Sequence, residues 1–372
     1  MSLTTKDMMR ILNKKNGVST AFSLSQDNPT EVKEWIPTGS RWLDSIICKG
    51  KIAGIPVGKI VEIAGLEASG KSFMAGQIAA NAQKKDFTVV YFDSESALDP
   101  DFLVRAGVDL ERFVYVQAVS IEQVLEQTEA LLSKGERLFF IWDSLANTVS
   151  SKEAEVNFDP SKLMAFNARV LSLGMKKLTI PIANKNSVFL VLNQLKTNIS
   201  TNPYEMLANP YTTPGGKAVI YAYSLRIWLT GRKNKDNLIY DDNGFIMGSA
   251  VKVKLKKSRF GTEGRTCEFK IIWGDPDTVG IQDEASWFEA LKATESLTHQ
   301  SQGWYTLKGW DRRFRSTNWV EELKNPDFRK CVLDAMDVEI VSKFDNRTGD
   351  ASVFYGNDDD DDDMENDDSV ES

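Results

Sequence analysis

The stretch GLEASGKS, residues 65–72, sets two glycines ahead of a Lys-Ser pair at the spacing GxxxxGK[ST]. The chemistry this spacing serves is phosphate binding. Glycines let backbone N–H groups turn toward the β- and γ-phosphates of a nucleotide, Lys71 adds a point charge, and the Ser72 hydroxyl can take Mg²⁺. Gly65, Leu66, Glu67, Ala68, Ser69, Gly70, Lys71, Ser72 and Phe73 are therefore the expected nucleotide-binding run, with ATP and Mg²⁺ as cofactors. A metal held by a loop serine needs a carboxylate partner, and Asp143, closing the apolar run RLFFIWDS, is the candidate. Transfer of the phosphoryl group to water needs a residue that orients and deprotonates that water. Glu95, just past the apolar run TVVYFDSE, is placed for this.

These residues need a scaffold that brings strand ends together. KIVEIAG, TVVYFDSE, RLFFIWDS and SVFLVLNQ are each apolar until their last residues, which turn to glycine or polar types. In an open parallel sheet the ligand crevice lies at the carboxyl ends of the strands, so Gly65, Asp93, Glu95, Asp143 and Gln194 are expected to gather there. The strand before the loop and the amphipathic KSFMAGQIAANAQKK after it supply the strand–loop–helix context that the motif requires. From about residue 36 to 293 the alternation of apolar runs with amphipathic segments predicts a mostly parallel sheet with helices on both faces. SAVKVKLKKSRF and TCEFKIIWG alternate with period two and predict an antiparallel pair extending it.

The chain has 372 residues and is 42% hydrophobic, enough for one large core with an appendage. The expected organisation is a helical arm and linker at 1–30, a main nucleotide-binding domain at 31–282, a small carboxyl-terminal domain at 283–356 and a tail at 357–372. Leu3, Met8, Ile11 and Leu12 give the arm its helical spacing. The tail carries ten acids and no base, and the net charge of −8 becomes +2 without them, so it is expected to be disordered. Three isolated cysteines and a single histidine argue against a disulfide frame, a zinc site or imidazole catalysis. With no run near the ~18 apolar residues of a membrane span, a cytoplasmic protein is expected.

The segment YFDSESALDPDFLVRAGVD closely resembles the RecA family. PTGSRWLDSIICKGKIAGIPVGKIVEIAGLEASGKS, VLNQL, YTTPGGKA and KKSR follow in family order over about residues 30–275. GWY at 303, the arginines after it and the acidic end resemble the UvsX-like recombinases of tailed phages. The resemblance implies an α/β fold with a RecA-like P-loop ATPase core, and a DNA-dependent ATPase acting in homologous recombination. Such a protein forms a helical filament on single-stranded DNA and pairs it with a homologous duplex. A single-strand-binding protein and a recombination mediator are the implied partners, and a bacterial host cytoplasm the implied setting if the chain is phage-encoded. A ring helicase or a non-hydrolysing paralogue would share the core.

Carried over by position, Glu95 is the base that activates water. Gln194 is the sensor joining the γ-phosphate to the loop behind it, and Asp99 accepts from the adenine amino group. Phe102 replaces a tyrosine of the bacterial members, keeping the ring and losing the hydroxyl. Lys257 and Arg259 match two cations that reach a neighbouring subunit's nucleotide, the second being an arginine here. The proline-bearing stretches 151–162 and 195–214 read as long loops, and in the family they line the filament axis. Met164, Arg169, Ser172, Lys176, Ile199, Gly215 and Gly216 match DNA-contact positions. In GWYTLKGWDRRFRSTNW, aromatic and basic residues interleave. The aromatics suit either a small core or stacking on bases, and Arg312, Arg313 and Arg315 suit duplex phosphates.

Overall fold

The computed structural model describes residues 3–16, 21–24, 28, 30–155, 164–198, 204, 206, 209–231, 237–275 and 278–343. The strands of its main sheet, in chain order, are β1 (Ile60–Gly65), β2 (Thr88–Asp93), β3 (Phe113–Gln117), β4 (Leu138–Asp143), β5 (Val188–Gln194), β6 (Leu225–Leu229), β7 (Leu238–Tyr240), β8 (Ile246–Ser258), β9 (Thr266–Ile272) and β10 (Gly280–Ile281). Their order is β10-β9-β8-β6-β1-β5-β4-β2-β3, with β7 paired to β8. Every pairing from β6 to β3 is parallel. Those of β8 with β6, β7 and β9, and of β9 with β10, are antiparallel, as the period-two pattern predicts.

β1 and β5 run apolar almost without a break because both faces are covered. One apolar layer packs the helix Lys71–Gln83 and the helix Arg41–Ile47 against the sheet. The other packs the helices Ile121–Lys134 and Met164–Asn184. The first layer continues without interruption into the carboxyl-terminal unit, whose helix Asp283–Lys292 contributes Trp287 and Leu291. That unit has a three-stranded sheet of Leu297–Ser301, Trp304–Leu307 and Phe314–Arg315, followed by a helix at Pro326–Met336. Phe314, Trp319 and Phe328 are buried there with ring centroids 5.0–5.6 Å apart, so these aromatics are core.

The arm helix spans Thr5–Asn16, with Leu3, Met8, Ile11 and Leu12 all about half exposed. The stretch expected as a first long loop departs from that reading. Ser151–Glu155 is a short helix, with the Ser151 N–H and hydroxyl both donating to Glu122. The stretch 195–214 is drawn in at its base, where Lys196–Thr197 pairs antiparallel with Tyr211–Thr212. Most of its tip, the rest of the first loop, Ile199 and the tail 357–372 lie outside the described residues.

Candidate nucleotide site and DNA-facing loops

The sheet register aligns the strand ends that the sequence singles out. Gly65 pairs with Gln194, and Asp93 pairs with Asp143. A cavity of about 610 Å³ opens at this edge, lined by residues 67–73 together with Glu95, Asp99, Phe102, Asp143 and Gln194. The loop geometry demands glycine at two points. A Cβ on Gly65 would sit 2.2 Å from Ser69 Oγ, and Gly70 has φ 91°, a conformation that L side chains rarely adopt. Gly70 caps the helix Lys71–Gln83 without a side-chain hydrogen bond, an arrangement that leaves first-turn N–H groups available to an anion. Gly65 and Leu66 do not line the cavity. Their carbonyls accept from Lys71 Nζ at 3.3 and 2.9 Å, which fixes the ammonium inside the loop. Burial pushes the Lys71 pKa down, while Asp143, Glu95 and Glu67 oppose the shift.

Ser72 Oγ donates to Asp143 Oδ2 at 2.8 Å, joining the two residues expected at the metal. Tyr91 donates to the same oxygen at 2.5 Å. Burial pushes the Asp143 pKa up, and these two hydrogen bonds pull it back. Among the described residues no cluster of three or more His, Cys, Asp or Glu could hold a metal by itself. A hydroxyl beside one carboxylate instead fits Mg²⁺ that arrives with a nucleotide's own phosphate oxygens. Ser69 Oγ, buried with no hydrogen-bond partner among the described residues, is a further donor suited to phosphate.

Asp93 plays a different part from its neighbours at the crevice. Its carboxylate accepts from the backbone N–H groups of Glu95, Ser96, Ala97 and Leu98 at 2.8–3.2 Å, so it shapes the turn that carries Glu95. Glu95 Oε1 accepts from Asn147 Nδ2 at 2.5 Å and Ser144 Oγ at 3.2 Å. Asp99 caps the helix Pro100–Arg105 and lies 3.7 Å from Arg105, still on the cavity wall. Phe102 meets Phe73 edge-on at 5.2 Å. Ile271 and Trp273 complete the wall from the end of β9. The sequence reading missed both, because period two marks a strand but not which strand end comes back to the loop.

Lys257 and Arg259 are not at this cavity. Lys257 Nζ donates to Ile220 O at 2.7 Å and Arg259 Nη2 to Tyr221 O at 2.7 Å, beside the amino-terminal ends of the parallel strands. Arg169, Ser172 and Lys176 recur at i, i+3 and i+7 along the helix Met164–Asn184, with Arg169 and Lys176 exposed. Met164 opens that helix, and its side chain lies outside the described set. Gly215 and Gly216 start the next helix, and a Cβ on Gly216 would lie 3.6 Å from Ala168, which brings this turn beside Arg169. Arg312, Arg313 and Arg315 are exposed on the carboxyl-terminal unit. Arg313 and Arg315 lie over the partly exposed Trp304 ring at 4.6 and 5.0 Å.

A buried network also absent from the sequence reading joins β1 to the second loop. Arg226 Nε and Glu62 Oε2 pair at 2.5 Å, both buried, and Arg226 also donates to Thr213 Oγ1 at 2.8 Å. Asn193 Nδ2 donates to Glu62 Oε1 and to Pro214 O. The base of that loop is thus tied to the residue preceding Gln194 and to the strand that leads into the phosphate loop.

Comparison with known proteins agrees with this geometry. A family model described as RecA N-terminal domain matches residues 4–278. The chain is 32% identical over 299 residues to Protein RecA of Bifidobacterium breve, across 80% of this chain and 71% of that protein. It is also 32% identical over 299 residues to Protein RecA of Bifidobacterium longum (strain NCC 2705), across 80% of this chain and 70% of that protein. A match that runs from the arm helix through the phosphate loop and past β9 makes this chain a member of the RecA family.

Proposed function

We infer that this chain is a DNA-dependent ATPase that performs ATP-dependent recombination and strand exchange, binding single-stranded and duplex DNA and assembling with itself. One observation carries the reading: the nucleotide cavity and the bases of both loop segments share one edge of the sheet and are joined by hydrogen bonds. Lys71 and the loop amides hold the β- and γ-phosphates of ATP, with Asp99 and Phe102 at the adenine. Ser72 and Asp143 hold Mg²⁺, which neutralises charge on the phosphate oxygens when bound. Glu95 orients a water and takes its proton as the water oxygen bonds to the γ-phosphorus and the bond to the leaving phosphate breaks. Gln194 relays the presence of the γ-phosphate, through Asn193, to the second loop.

The finer assignments follow the same line. Lys257 and Arg259 act on the nucleotide of the next protomer, for which their distance from the cavity of their own chain is the support. The arm 1–30, with its exposed apolar side chains, docks on a neighbouring core at 31–282. Residues 283–356 form the appended unit and 357–372 the acidic tail. Arg169, Ser172, Lys176, Gly215 and Gly216, with Met164 and Ile199, contact the strand in the filament axis. The UvsX-like branch of tailed phages is the proposed affiliation, with a single-strand-binding protein and a mediator as loading partners. Hydrolysis measured with and without single-stranded DNA, beside electron microscopy of the assemblies, tests the whole. Stimulated turnover with helical filaments supports it, and closed rings would favour a helicase.

The arginine patch yields its own expected result. Replacing Arg312, Arg313 and Arg315 with alanine should weaken duplex binding at low salt and flatten the fall of log K with log salt by about 0.9 for each phosphate no longer neutralised. Binding to single strands, made by the loops, should change less. Deleting residues 357–372 should do the opposite if the ten acids compete for these cations. A salt series on both DNAs checks this, and equal changes on both would reduce the patch to general electrostatics.

A further inference from the structure

The turn that carries Glu95 is held through its backbone. The Glu95 N–H and the three N–H groups after it are all bound to Asp93, which is itself buried. Where the carboxylate sits therefore depends on what its oxygens accept. Oε1 accepts from Asn147 Nδ2 and Ser144 Oγ, so the group is held against the segment that follows β4. A water at the γ-phosphate would compete with these two donors for the carboxylate.

The donor segment is also the entrance to the first loop. Asn147 is exposed at the end of a 3₁₀ turn, Leu145–Asn147. The next residue, Thr148, is buried, accepts from Trp142 Nε1 at 2.8 Å and donates to Ser144 O at 2.8 Å. Val149 O accepts from Ile121 N at 2.9 Å, and the helix Ser151–Glu155 begins two residues on. Only a short, braced piece of chain separates that helix from Asn147.

We propose that Asn147 is a positioning residue that holds Glu95 at rest until single-stranded DNA engages the first loop, and so makes hydrolysis depend on DNA. The proposal rests on Glu95 being the base. Breaking a hydrogen bond to a charged acceptor is costly enough to suppress the active arrangement roughly 10-fold or more. DNA that shifts the turn would supply that cost from its binding energy. By reciprocity, the resting hydrogen bond must weaken DNA binding by the same factor.

The test uses the full chain and the Asn147→Ala substitution, at an exposed position where loss of fold is not expected. DNA-free hydrolysis should rise roughly 10-fold while the DNA-saturated rate stays the same, so the stimulation ratio collapses. Single-strand affinity, measured with a non-hydrolysable ATP analogue, should rise by up to the same factor, a readout that a merely structural role would not move. Asn147→Asp, which sets a like charge against Glu95, should act in the same direction. An unchanged ratio in both variants overturns the proposal. So does a fall in the DNA-saturated rate, which would make Asn147 a support of the active base. Glu95→Gln separates the two levels: if that variant still hydrolyses ATP, the assignment of the base has failed, and if it is silent while Asn147→Ala is unchanged, only the restraint has failed.

Discussion

Glu95→Gln should lower turnover by roughly 10²–10⁴-fold, the range for loss of a general base, while ATP binding and assembly on DNA persist. The separation follows from how the site is built. Phosphate binding is proposed to rest on the loop amides, Lys71 and Ser72, whose side-chain hydrogen bonds do not involve the Glu95 side chain. The Glu95 turn is held by Asp93 through backbone N–H groups that the substitution leaves in place. An amide matches the carboxylate in shape, still accepts from Asn147 and Ser144, and cannot take the water's proton. Steady-state turnover with saturating single-stranded DNA, beside equilibrium binding of an ATP analogue, measures both halves. Hydrolysis retained within a few-fold would remove Glu95 from the role.

The second large effect concerns Lys257 and Arg259. In the sheet register Lys257 lies opposite Arg226, which pairs with Glu62, and Glu62 is three residues before Gly65. At about 3.3 Å per residue the pair sits some 10 Å below the phosphate loop of its own chain, at the far end of the strands. That distance supports the proposal that the two cations serve a γ-phosphate across a subunit boundary. A fork of guanidinium donors suits that phosphate better than a second ammonium would. Lys257→Ala/Arg259→Ala should lose about 10³-fold or more in turnover, as when a trans-acting arginine is removed. Mixed with Glu95→Gln, it should regain activity, because some pockets then pair an intact Glu95 with an intact cation pair. Co-assembly demonstrated without recovery at any ratio would rule out a shared site.

The legible part of the molecule is the part that repeats a pattern. Four apolar runs with polar last residues are enough to anticipate that Gly65, Asp93, Asp143 and Gln194 meet, because a parallel sheet puts its strand ends at one edge. The GxxxxGK[ST] spacing locates the cavity floor, and period two locates β8 and β9. What stays hidden depends on side chains from distant stretches sharing one small volume. Nothing in the string marks Tyr91 as the donor to Asp143, since a tyrosine in a buried strand reads as core. Asp93 resembles its neighbours at the crevice, yet it turns back onto four N–H groups of its own chain. The Glu62–Arg226 pair joins residues 164 apart, and a lone glutamate in an apolar strand gives no sign of its partner. Trp273 reads as the end of a strand, because its place on the cavity wall follows from how far β9 runs.

Strand exchange itself is the most direct measurement. Protein preloaded on a circular single strand with ATP and Mg²⁺ is given a linear duplex that is either homologous or unrelated, and joint molecules are counted over time. Joint molecules should form with the homologous duplex alone and should require ATP. They should be lost when Lys71, which holds the phosphate loop together, is replaced with alanine. DNA-stimulated hydrolysis accompanied by separation of either duplex regardless of homology, with no joint molecules, would contradict strand exchange and leave a DNA motor built on the same core.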